Sequence, residues 1–143
     1  MNDQLHLDAK DASQLFFWKG AIDPDRLNQW IEGLSLAVPT DLVELWVRTG
    51  GGDLFESETV LTPMAGADDP VDIEASNACL RSQGLPCQFC VFHIGTLVSA
   101  VRQPDAVLVE LDESSYQEIK TFASLDEWYR QTIRDEFAAR YGL

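Results

Sequence analysis

The stretch QFCVFHIGTLVSAVRQPDAVLVELD, residues 88–112, decides the fold class. It holds three runs dense in β-branched and aromatic residues: Gln88 to Ile94, Thr96 to Arg102 and Ala106 to Asp112. In the third, Val107, Val109 and Leu111 point to one face, and Leu108, Glu110 and Asp112 to the other. Gln103-Pro104-Asp105 reads as a turn between the second and third runs. Successive strands joined by short turns imply antiparallel pairing, because a parallel pair needs a long crossover. Tyr116 to Phe122 is a fourth, weaker run.

Toward the C-terminus, Ser124-Leu125-Asp126-Glu127 is a capping box: Ser124 caps the Glu127 N–H and Glu127 reaches back. Leu125, Trp128, Tyr129, Ile133 and Phe137 continue one apolar face of a closing helix. Toward the N-terminus, a helix from about Val71 to Gln83 closes at Gly84, after a small acidic loop over 65–70. Before it, Phe55 to Leu61 reads as one strand with a partly solvated face, ended by Pro63. A helix over Thr40 to Thr49 turns Leu42, Leu45 and Trp46 inward and stops at Gly50-Gly51-Gly52. An earlier helix starts at Asp23-Pro24, with Leu27, Trp30, Ile31 and Leu34 on one stripe. Residues 1–13 are polar and are expected to fray. The expectation is one α+β domain over 1–143. It has N-terminal helices, a central antiparallel sheet of about four to six strands, and a C-terminal helix packed on the sheet.

The chain's 24 acidic and 10 basic residues give a formal net charge of −14. Such a surface repels nucleic-acid phosphates and anionic membranes, and attracts a basic protein partner. No stretch approaches the roughly 20 apolar residues of a membrane span. The segment Met1 to His6 lacks the order of a secretory signal, and three cysteines suit a reducing compartment; a cytoplasmic location is expected.

Candidate sites are few. Gly50-Gly51-Gly52 follow a helix rather than precede one, and Asp53 stands where a phosphate site would want Lys, so the run reads as a turn. Cys79, Cys87, Cys90 and His93 supply enough ligand types for a zinc site, with a C-x-x-C spacing. However, positions three apart on a strand face opposite sides, so ordinary buried thiols are the stronger reading. His93 alternates with Phe89 and Val91 on a strand and reads as a packed, hydrogen-bonded core residue. Glu56 and Glu58 share a strand face, and Asp68, Asp69 and Asp72 follow close behind. These five are candidate docking charges for a basic partner. Trp18, preceded by Phe16 and Phe17, staples its segment to the core or, if partly exposed, anchors an interface.

The order of motifs resembles that of the SUKH superfamily. Val38-Pro39-Thr40-Asp41-Leu42, then Leu45-Trp46, then Thr49-Gly50-Gly51-Gly52 is similar to its Leu-Pro-like helix start, apolar helix and glycine turn. Phe92-His93-Ile94-Gly95-Thr96 resembles its strand with a small-residue turn, and Ala123-Ser124-Leu125-Asp126-Glu127-Trp128 its last strand-to-helix step. Together these span most of residues 24–137. Val38 in place of Leu and the cysteines between 79 and 90 depart from the pattern. The resemblance implies an α+β binding domain, found in bacterial immunity proteins that neutralise toxins and in fungal regulators of cell-wall synthesis. It implies no cofactor and no shared catalytic residue. The expected function is therefore neutralisation of a toxin domain, such as a basic nuclease, by direct binding. The alternatives are a regulatory or scaffolding domain, and a small metal- or thiol-dependent enzyme built on Cys79, Cys87, Cys90 and His93.

Overall fold

The computed structural model describes residues 3–143. Its frame is one antiparallel sheet in which every strand pairs with its sequence neighbours, in the order β1 to β7. The strands are β1 (Phe16–Trp18), β2 (Gly52–Leu54), β3 (Glu58–Val60), β4 (Phe89–Ile94), β5 (Val98–Arg102), β6 (Val107–Leu111) and β7 (Glu118–Phe122). The helices are α1 (Asp3–Asp11), α2 (Pro24–Gly33), α3 (Thr40–Thr49), α4 (Ile73–Ser82), α5 (Leu125–Trp128) and α6 (Asp135–Tyr141). The last two are joined by a π-helical stretch, Tyr129–Arg134. The class is α+β, with the C-terminal helical segment packed through Trp128, Tyr129, Ile133 and Phe137 into the core.

The local signals have direct physical counterparts. The Asp23 carboxylate accepts the Arg26 N–H at the start of α2, and Pro24 fills the first turn without wasting a donor. The Ser124 hydroxyl accepts the Glu127 N–H at 3.1 Å, while Glu127 reaches back one residue further than the standard box, to the Ala123 N–H.

Seven strands replace the expected four to six, because β1 and β2 lie outside every expected run, and the expected strand keeps only its second half as β3. Phe55 to Leu61 is broken by a turn in which Phe55 and Glu56 adopt left-handed φ values of 51° and 68°. That conformation costs a non-glycine residue about 1–2 kcal/mol. The Phe55 ring is 1% exposed and stacks on Phe137 at 5.5 Å, with Phe16 edge-on at 5.2 Å, and this packing offsets the cost. Ahead of the turn, β2 is threaded tightly against β1: a Cβ at Gly52 would overlap the Phe17 carbonyl.

Within residues 1–13, where fraying is expected, the described residues form α1, followed by a 3₁₀ turn over Ser13–Leu15. Only Leu5, Asp8 and Ala12 of residues 4–12 are buried, one of them charged, so the apolar stripe is weak. Asp8 nevertheless anchors the helix. It accepts the Tyr129 hydroxyl at 2.7 Å and Arg134 Nε at 2.8 Å, with Gln4 on its other oxygen. In an α-helix, residues five apart diverge by about 140°. The wider π turn brings Tyr129 and Arg134 to one side, where both reach Asp8.

Two carboxamides close gaps in the backbone pairing. Past β3, the Asn77 side chain accepts the Val91 N–H and donates to the Val91 carbonyl, at 2.8 and 2.9 Å. Arg81, one turn on, donates to the Phe89 carbonyl, so α4 completes the edge that β3 leaves open. Gln103 does the same for both peptide groups of Ala37. Among the described residues, no helix is long and apolar enough to cross a membrane.

Candidate functional site

The chemistry-bearing side chains sort onto the two faces of β1–β4. Inward, β3 projects Glu58 and Val60, and β4 projects His93 opposite Val60. His93 Nε2 lies 3.0 Å from Glu58 Oε1, and His93 Nδ1 lies 2.9 Å from Ser99 Oγ on β5. Trp128 Nε1 donates to the same Ser99 oxygen at 2.9 Å. The ionised Glu58 carboxylate can only accept, so Nε2–H donates to it, and the Ser99 hydroxyl, already accepting from Trp128, pairs with Nδ1. Burial pushes the Glu58 carboxyl up, but hydrogen bonds from His93, Ser57 and Thr96 outweigh it and hold the group below its ordinary range.

The chain Glu58–His93–Ser99 has the residue types of a hydrolase triad. Its nucleophile is sealed: Ser99 and His93 are 0% exposed and Glu58 is 1% exposed, with the Trp128 indole on the serine oxygen. No substrate carbonyl can approach that oxygen without unpacking the core, so the network acts as a polar clasp between β3, β4, β5 and α5.

Glu58 is thus not a docking charge. The turn at 55–57 resets the alternation, so Glu56 stands exposed at the hairpin tip, 3.4 Å from the Tyr141 hydroxyl, while Glu58 points into the core. Asp72 is corrected for a similar reason. It is 5% exposed, caps α4 through the Ala75 N–H at 2.9 Å, and takes the Ala65 and Gly66 N–H groups on its other oxygen. Asp68 is exposed. Asp69 pairs with Lys19 at 2.6 Å; that ammonium, with the Val71 N–H, holds its carboxyl below the usual range.

Outward, the strand register lines up Phe17, Asp53, Thr59 and Ile94 across four strands. Directly opposed residues share a face, so this row is the solvent side of the same half-sheet. Phe17 is 62% exposed at its end. Asp53 is exposed and accepts the Thr59 hydroxyl at 2.8 Å. Ile94 borders a groove shared with Asp68, Asp69, Pro70 and Leu80. The row therefore carries an exposed aromatic and a carboxylate at its β1–β2 end and borders the acidic groove at its β4 end. Trp18, read as a core staple or an interface anchor, is half-buried on the other face, 5.6 Å from Phe16. The sequence reading missed Phe17 and Asp53 because neither β1 nor β2 was identified; the alternation through Phe16-Phe17-Trp18 was the available signal.

The cysteines do not converge. Cys79 is exposed on α4, Cys87 is exposed in the turn before β4, and Cys90 is buried, its thiol pushed up to about 11 by burial. A thiol in that range is protonated at neutral pH and a poor nucleophile. Among the described residues, no three His, Cys, Asp or Glu side chains are grouped to hold a metal ion. Compared with known proteins, the chain matches no protein-family model and no curated protein sequence.

Proposed function

We propose that the chain is a cytoplasmic immunity-type protein that neutralises a cognate toxin domain by binding it, without turnover or cofactor. The observation that carries this reading is the outer face of β1–β4, where Phe17 stands 62% exposed beside Asp53 on a chain of net charge −14. Carboxylates around an exposed aromatic steer a basic partner to the surface, and burial of the ring supplies affinity once it docks. The order of motifs resembling the SUKH superfamily favours toxin neutralisation over other binding roles. The sealing of Ser99 and His93 removes the most triad-like constellation from consideration as a catalyst.

The test is a tagged pull-down from the native cell at low and high salt, run with the wild type and an Asp53→Lys/Asp68→Lys variant. The expected result is one basic protein in near-equal amount, lost as salt rises and lost in the variant. Its own activity falls when the purified wild-type chain is added. Equal recovery by the variant takes this face out of the account. A partner whose activity is untouched by binding makes the chain a scaffold instead.

A further inference from the structure

We propose that the cleft between α1 and α3 binds a small amphipathic carboxylate, a ligand with an apolar body and a single anionic end. Leu5, His6 and Lys10 from α1, Leu45 and Arg48 from α3, and Trp18 from β1 line a cavity of about 300 Å³. That volume is at the lower end for small-ligand sites, which combine an apolar lining with a few convergent polar groups. Here the floor is apolar: Leu5 is 1% and Leu45 0% exposed, with half-buried Trp18 beside them. The lip is cationic: Lys10 and Arg48 are both exposed, with His6 next to them.

The helical spacing produces this division. Leu5 and His6 lie one turn before Ala9 and Lys10, and Leu45 lies one turn before Arg48 and Thr49, so each helix offers an apolar position and a basic one to the same cleft. The sign of the charge is the unusual part. The chain has 24 acidic and 10 basic residues, and Lys19, Arg102, Arg130 and Arg134 are held in ion pairs elsewhere. Lys10 and Arg48 nonetheless line one apolar cavity whose lining, among the described residues, holds no carboxylate; Glu44, one turn before Arg48 and outside that lining, feels the Arg48 charge. Two cationic side chains at the rim of one cavity attract an anion to it. Arg48 offers the planar fork that matches a carboxylate. The apolar floor favours a ligand with an acyl or aromatic body over a bare phosphate. Trp18 and Phe17 alternate on β1, so this cleft and the proposed docking face lie on opposite sides of the strand.

The probe is octanoate, titrated into the full chain and followed by backbone amide and indole NMR shifts. Neutral 1-octanol and cationic octylamine serve as charge controls. The expected result is saturable binding with shifts confined to residues 5–10, 45–49 and Trp18. Octanol should bind at least ~10-fold more weakly, and Arg48→Gln and Lys10→Gln should each weaken octanoate by ~5–10-fold. A hexapeptide with an apolar C-terminal residue is compared with its amide. Tighter binding of the free-acid peptide than of octanoate assigns the site to a chain terminus, and the reverse assigns it to a free acid. Octanol binding as tightly as octanoate, or shifts that do not saturate, overturns the proposal.

Discussion

Gly95 lies against the Glu58 carboxylate so closely that a methyl group on its Cα would overlap both carboxylate oxygens. The turn after β4 wraps this buried anion: the Thr96 N–H donates to it at 3.1 Å and the Thr96 hydroxyl at 3.2 Å. Gly95 is there because a side chain would occupy the space of the carboxylate, and not because the backbone needs a left-handed φ.

Gly95→Ala should therefore destabilise the protein by about 1–3 kcal/mol through overpacking. Urea unfolding measures it. An unchanged midpoint would mean that Glu58 can move aside without loss of its partners.

Glu58→Gln should cost about 1–3 kcal/mol at neutral pH. The carboxylate accepts from His93, Ser57 and Thr96, whereas an amide has one acceptor oxygen and places an NH₂ against a donor. The pH dependence has a definite sign. A carboxyl held below its ordinary value of 4.5 stabilises the fold above that pH, and the contribution is lost as pH falls through the folded value. The stability gap between wild type and Glu58→Gln should thus be constant above about pH 5 and shrink in stronger acid. A gap independent of pH down to the acid transition would contradict this.

Asn77→Ala should leave the Val91 N–H and C=O without partners, at about 1–3 kcal/mol for each buried group. Hydrogen exchange is the direct readout: the Val91 amide should lose protection far more than its β5-facing neighbour Cys90. Equal loss at both would show that α4 holds the strand by packing alone.

Asp8→Ala should cost about 3–5 kcal/mol, because the Arg134 guanidinium and the Tyr129 hydroxyl lose their acceptor. The loss should be local. Limited proteolysis is expected to cut within α1 before the rest of the chain, and Tyr129→Phe should cost only about 1 kcal/mol. Cleavage at unaltered rates would mean that Leu5 and Ala12 suffice to dock the helix.

Much of the architecture was legible because it is locally determined. The α3 boundaries at Thr40 and Thr49, the Asp23 and Ser124 caps, and the four runs that became β4 to β7 each follow from propensity, capping chemistry or period-2 patterning within a few residues. The net charge is likewise a property of the chain alone. Only the tertiary structure decided which way the charged side chains point. Glu58 and Asp72 look like surface carboxylates in sequence, yet the left-handed turn at Phe55 and the cap of α4 bury them. That turn exists because Phe137 and Phe16, distant in sequence, pack on the Phe55 ring. Likewise α1 is held by an ion pair to Arg134, 126 residues away, and Phe17 and Asp53 become neighbours only when β1 pairs with β2. Register between distant segments sets these features, and no local window of the sequence contains it.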